Sequence, residues 1–171
     1  LARQSLIFLY AARNADAAAA LAEARTLVAD QPGSHAARVV RSCGAVLCQF
    51  ERRYDAAIAL ATSVLDEAER EGDKAEIAMC LKTIGRSQLA LARDDEGLAT
   101  LERALAVALG ANEHRIASQV FANLGAGCVD AFRLSEAEAW LRKGIHFCTE
   151  RDLDATRLYQ TAWLAHALLH Q

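Results

Sequence analysis

The chain has 171 residues, enough for one ordinary domain, and is 53% hydrophobic but only 6% aromatic, with alanine making up much of the difference. A net charge of −3 and a pI near 6.0 argue against a nucleic-acid surface, which needs a basic stripe. The longest charge-free runs, 116–129 and 158–171, are 14 residues each, short of the ~18 of a membrane span.

In chain order, helical patterning starts at once. Residues 1–12 offer Leu6, Leu9 and Tyr10 to a core. A second helix, 15–29, is expected to be capped by Asn14 or Asp16, with Leu21, Leu27 and Val28 inward. Gln31-Pro32-Gly33-Ser34 is the one strong break, and Ser34 is placed to cap the third helix. Helices are then expected at 35–50, 54–71, 74–91, 95–109, 113–131, 135–150 and 154–171. Gly72 suits a left-handed C-terminal position, and Asp73 with Glu76 has capping-box spacing. Asp94 and Ser135 with Glu138 read as further caps, and Gly110-Ala111-Asn112 as another stop followed by a cap.

These helices repeat as hairpins. Ala45, Gly85, Gly125 and Ala165 are each 40 residues apart, with Ser5 one period earlier. Leu65, Leu105 and Ile145 keep the same spacing on the second helices. Ala137, Leu141, Gly144 and Ile145 share one helix face, and Gly125 is expected to let the second helix approach at Ala137. A fixed period in this range marks a solenoid of helix pairs. The expected fold is all-α: a right-handed α-solenoid over 1–171, with about four hairpins and a final helix. That last helix carries Trp163, Leu164, Ala167 and Leu168 with no helix after it to cover them. An array usually ends in a polar-faced cap, so the chain reads as a piece of a longer protein.

The hairpins resemble tetratricopeptide repeats, with Leu124-Gly125, Ala137 and Gly144-Ile145 matching best, although that family's usual period is ~34. The C-terminal third is more specific. EAEAWLRKGI from Glu136 to Ile145, ERDLD from Glu150 to Asp154 and YQTAWLA from Tyr159 to Ala165 resemble the helical repeats of large LuxR-type regulators of the maltose-activator kind. The resemblance implies a superhelix that senses an inducer or partner and gates ATP-dependent self-association. An ATPase would precede it and a DNA-binding helix-turn-helix would come after it. Neither GxxxxGK[ST] nor a basic recognition helix occurs in this chain, so it is assigned no nucleotide or DNA contact.

By analogy with tetratricopeptide repeats, the first helices of the pairs should line a groove. That places Ser42, Met79, Lys82, Arg86, Gln119, Asn123, Tyr159 and His166 there, beside the smaller Val39, Val46, Ala122, Ala126 and Ala162. Lys82 and Arg86 are four apart on one helix face, and Gln119 and Asn123 are expected beside them. Such a cluster suits a carboxylate, phosphate or acidic peptide. The alternative is a pair of solvated surface cations. A partner protein or small-molecule inducer is the expected occupant, with self-association through the apolar last helix a further expectation. Five cysteines without a CxxC pattern read as buried free thiols of a cytoplasmic protein rather than zinc ligands or a redox switch. His166 and His170 have two-ligand spacing but lack a third donor in sequence, so no metal or other cofactor is expected. No nucleophile with a base and an orienting acid stands out, and no enzyme is expected.

Overall fold

The period has its physical basis in the turns. The computed structural model describes residues 1–171 and contains nine α-helices and no strand. They are α1 (Ala2–Tyr10), α2 (Asn14–Leu27), α3 (His35–Phe50), α4 (Tyr54–Glu71), α5 (Lys74–Ala90), α6 (Asp94–Gly110), α7 (His114–Asp130), α8 (Leu134–Thr149) and α9 (Asp154–Leu169). A residue with positive φ stands in the turn at Ala12, Arg52, Gly72, Ala92, Asn112, Phe132 and Asp152. Neighbours in that series are 20 or 40 residues apart. At Arg52 the amide donates to the Gln49 carbonyl at 3.0 Å, and the Arg53 amide donates to the Cys48 carbonyl at 2.9 Å. Phe132 and Arg133 repeat the pair with Val129 and Cys128. This is the Schellman closure, which satisfies carbonyls the helix end leaves free. The residue after the left-handed one is already the N-cap of the next helix: Arg13, Arg53, Asp73, Arg93, Glu113, Arg133 and Leu153. No linker remains, so a helix with its turn takes 20 residues and a hairpin takes 40.

This geometry corrects several expected caps. Asn14, Asp94 and Ser135 lie inside their helices, and the residues at the cap positions before them, Arg13, Arg93 and Arg133, make no side-chain cap bond. Asn112 is the left-handed turn residue, not a cap. Acidic residues in the first turn, Asp94, Asp95 and Glu96 on α6 above all, favour the positive end of the helix dipole. Two expected caps are present. Ser34 Oγ accepts the Ala37 amide, and Asp73 Oδ1 accepts the Glu76 amide at 3.1 Å. The Asp73 box is only half made, because the Glu76 side chain turns into the interior.

One turn breaks the series. The register asks for a left-handed residue at position 32, but the ring of Pro32 holds φ near −65°. α2 therefore ends early at Leu27, and the chain turns through 28–34 before Ser34 starts α3. The α2–α3 contact is the loosest between consecutive helices. An apolar hollow of about 580 Å³ opens there, lined by Leu27, Val28, Ala36 and Val39 among others. Leu27 is exposed and Val28 half-buried, contrary to the expectation that both point inward. Tyr10 is exposed too, because its ring lies outside the α1 core contacts of Ser5 and Leu9.

Between the turns, small residues set the helix approach. A Cβ on Gly85 would lie 2.8 Å from Leu101 Cγ and 2.9 Å from the Gly97 carbonyl oxygen. A Cβ on Gly125 would collide with Leu141, so Leu141 and not Ala137 is what this glycine admits. Gly144 makes room for the Gln160 side chain, whose Nε2 donates to the Ser118 carbonyl at 3.1 Å and ties α9 to α7. Ala165 is exposed rather than in the core position of Gly125, because no helix packs on that side of α9. Trp163 and Leu164 are half-buried, Ala167 is buried, and Leu168 remains exposed.

The helices pack in a regular order. Each touches its neighbours in sequence, and α1, α3, α5, α7 and α9 also touch one another in a row. The even-numbered helices make no such contact. They are bridged by exposed ion pairs: Arg103–Glu69 at 2.5 Å, Arg93–Asp55 at 3.8 Å, and Arg133–Asp95. Such pairs are worth ~0–1 kcal/mol each, so the even helices are held chiefly by their neighbours in sequence. One core of 28 residues runs from α3 to α9, and a second of eight joins α1, α2 and α3.

Two substitutions separate packing from turn conformation. Gly85→Ala is expected to lower stability by about 1–3 kcal/mol through overpacking, offset only in part by ~1 kcal/mol of helix propensity. Phe132→Gly, at an 84% exposed left-handed position, is expected to stabilise by up to about 1 kcal/mol. Urea denaturation midpoints at constant slope measure both.

Candidate ligand-binding face

Side chains of α1, α3, α5 and α7 meet at one place along the odd row. Lys82 lies on α5 and is only 4% exposed. Its Nζ donates to Gln119 Oε1 on α7 at 2.7 Å, the neighbourhood expected from the repeat register. No carboxylate lies within 4.0 Å of this ammonium; every ion pair of the chain uses an arginine or a histidine instead. A Lys ammonium has three donors, so two are left over. Burying a charge with one neutral partner is costly.

Tyr10 completes the group. From the end of α1 its hydroxyl makes a long contact, 3.5 Å, to the same Gln119 oxygen. Its ring meets Phe50, at the end of α3, edge-on with centroids 5.7 Å apart. α1 is thereby joined to α7 across the inner face, although the two helices share no backbone contact. The odd row curves tightly enough for its first and fourth members to meet through side chains.

The other expected groove residues divide. Met79 is half-buried and packs against both cores. Arg86 and Asn123 are half-buried, and neither hydrogen-bonds to Lys82 or Gln119. Ser42 is buried. Tyr159 and His166 are exposed on α9, where with Ala162 and Trp163 they line a separate shallow hollow of about 280 Å³. His166 and His170 stack edge-on at 4.6 Å, and no group of three or more His, Cys, Asp or Glu side chains gathers as a metal site.

Sequence reasoning missed Tyr10 and Glu76. Glu76 is 6% exposed, and its Oε1 is buried without a hydrogen-bond partner. Burial pushes its carboxyl above the ordinary range and Asp73 adds to this, while the neighbouring Ser42 hydroxyl and the charges of Arg3 and Arg38 oppose it. Its counterpart one period later is the buried Ile116, a sign that this is an interior position. The five cysteines are free and buried, as expected. Burial first, with Glu76 adding to it, pushes the Cys43 thiol up to about 11 and Cys80 to about 12. Burial pushes Cys128 up to about 11. No helix is long and apolar enough to cross a membrane. No protein-family model matches the chain, and no curated protein matches it.

Two measurements test this electrostatic picture. A carboxyl whose pKa is raised by folding favours the folded state below its unfolded value, ~4.3, and loses that contribution as pH rises through the folded value. Glu76→Gln is therefore expected to stabilise the chain relative to the parent, with the difference growing as pH rises above ~4.3. Thermal denaturation across pH 4–8 reads it. The thiols of Cys43, Cys80 and Cys128 are expected to react with an aromatic disulfide reagent at least ~100-fold more slowly in the native chain than in urea, since the thiolate is the reactive form.

Proposed function

We propose that the chain is a non-catalytic sensing and assembly segment, a right-handed α-solenoid of tetratricopeptide-like repeats from a LuxR-type ATP-dependent regulator. Its inner face takes an anionic ligand at Lys82 and Gln119, and neighbouring domains read the occupied state. The observation that carries this reading is the buried Lys82 ammonium without a counter-ion, on the face where the odd helices converge. The row of contacts α1–α3–α5–α7–α9 supports the solenoid, and the segments around Glu136–Ile145 and Tyr159–Ala165 support the regulator. Five unpaired thiols suit a cytoplasmic location. A scaffold binding an extended peptide is the weaker alternative, because the Tyr10–Gln119 contact crosses the face along which such a peptide would lie.

A thermal-shift screen of anionic metabolites against the parent and a Lys82→Gln/Arg86→Gln variant tests it. A ligand at 100 times its Kd stabilises the folded state by about 2.7 kcal/mol. Compounds that raise the melting temperature of the parent are expected to leave the variant unmoved. Equal shifts in both proteins would remove the site. A P-loop encoded upstream and a helix-turn-helix downstream are expected of the regulator.

A further inference from the structure

The shape and charge around Lys82 narrow the ligand further, on the premise that the inner face binds an anion there. We infer that the occupant is a small monocarboxylate with an apolar, ring-bearing body. Its carboxylate takes the free donors of Lys82 and the Tyr10 hydroxyl, and its body lies against Phe50 and Tyr10. The charge argument comes first. One ammonium, already bonded to a neutral amide oxygen at 2.7 Å, is the single buried cation of this group, which matches one negative charge. Lys82 Nζ and Tyr10 Oη both approach Gln119 Oε1, at 2.7 and 3.5 Å, so the two oxygens of one carboxylate are enough to reach both donors. The hydroxyl is only loosely held at that distance and is free to turn to a stronger, charged acceptor.

The body of the ligand is set by the neighbours. Tyr10 and Phe50 are 54% and 42% exposed and already stack edge-on with each other, and Tyr10 reaches Gln119 through its hydroxyl. An exposed aromatic pair joined to the Lys82–Gln119 group through the Tyr10 hydroxyl favours an apolar ring over a polyhydroxylated or highly charged one. Met79, one turn from Lys82 on the same side of α5, adds a half-buried, adaptable surface. Size is limited by the Tyr10–Gln119 contact, which spans the face from α1 to α7 and stands in the way of a chain running along the row.

Isothermal titration of the whole chain with phenylacetate tests this. The comparison ligands are 2-phenylethanol (body without charge), acetate (charge without body), phenyl phosphate (a dianion) and an acidic hexapeptide. Phenylacetate is expected to bind at least ten-fold more tightly than each of the others. Lys82→Gln is expected to weaken it at least ten-fold, with folding checked by circular dichroism, and Lys82→Arg to retain part of the affinity. Tyr10→Phe changes an exposed hydroxyl alone, so it keeps the test open if the Lys82 variants unfold, and is expected to weaken binding about three-fold. The inference is overturned if 2-phenylethanol or acetate binds as tightly, if phenyl phosphate binds more tightly, or if Lys82→Gln and Tyr10→Phe both leave affinity unchanged. Binding of the hexapeptide alone, dependent on Lys82, would overturn the small-molecule inference and leave the anion-binding face standing. Binding of none of the anions would sink both.

Discussion

The structure depends on a turn in which the residue that ends one helix and the residue that starts the next are adjacent. A left-handed residue at C′ and an N-cap at the following position leave no slack between helices. Helix length is then tied to the repeat length, and the direction of each helix is set by the one before it. Left-handed backbone costs a non-glycine residue ~1–2 kcal/mol, yet six of the seven positions are filled by Ala, Arg, Asn, Phe or Asp. The Schellman bonds and the packing on either side hold these residues in place, so the turn survives without the residue best suited to it.

Uniform turns make the packing cumulative. Small residues such as Gly85 and Gly97 bring paired helices close, and the same offset brings each odd helix onto the next. The even helices spread apart and are spanned by arginines, Arg103, Arg93 and Arg133, whose long side chains reach where backbones do not. Contact on one side and separation on the other bend the row inward. That bend brings residues 109 positions apart, Tyr10 and Gln119, to one oxygen atom beside Lys82. The site is thus a product of curvature rather than of any local motif.

Curvature also divides what is legible in the sequence from what is not. The 40-residue spacing of Ala45, Gly85 and Gly125 locates the hairpins and, through register, puts Gln119 beside Lys82. Helix bounds such as His35–Phe50 and Tyr54–Glu71 come from apolar patterning and from Pro32 and Gly72. The caps expected at Asn14, Asp94 and Ser135 are misplaced because they presume side-chain capping, whereas Schellman turns use backbone atoms and leave little trace in residue type. The recurring arginines at 13, 53, 93 and 133 mark these turns instead. Glu76 has the spacing of a surface capping residue, and only its register with Ile116 hints at burial. Gln160 stands where earlier repeats have Val40, Cys80 and Val120, a polar side chain at an apolar position that holds α9 to α7. Tyr10 is beyond the reach of sequence patterning, since its contact depends on the summed bend of three hairpins.

Pro32 has an effect beyond its own turn. By shortening α2 and loosening its hold on α3, it leaves the opening hairpin resting mainly on an eight-residue cluster, apart from the 28-residue core that unites the remaining helices. Tyr10, whose hydroxyl meets the Gln119 oxygen beside Lys82, is carried by that hairpin. The placement of Tyr10 beside Gln119 is thus tied, through the hairpin that carries it, to an imino acid in a distant loop.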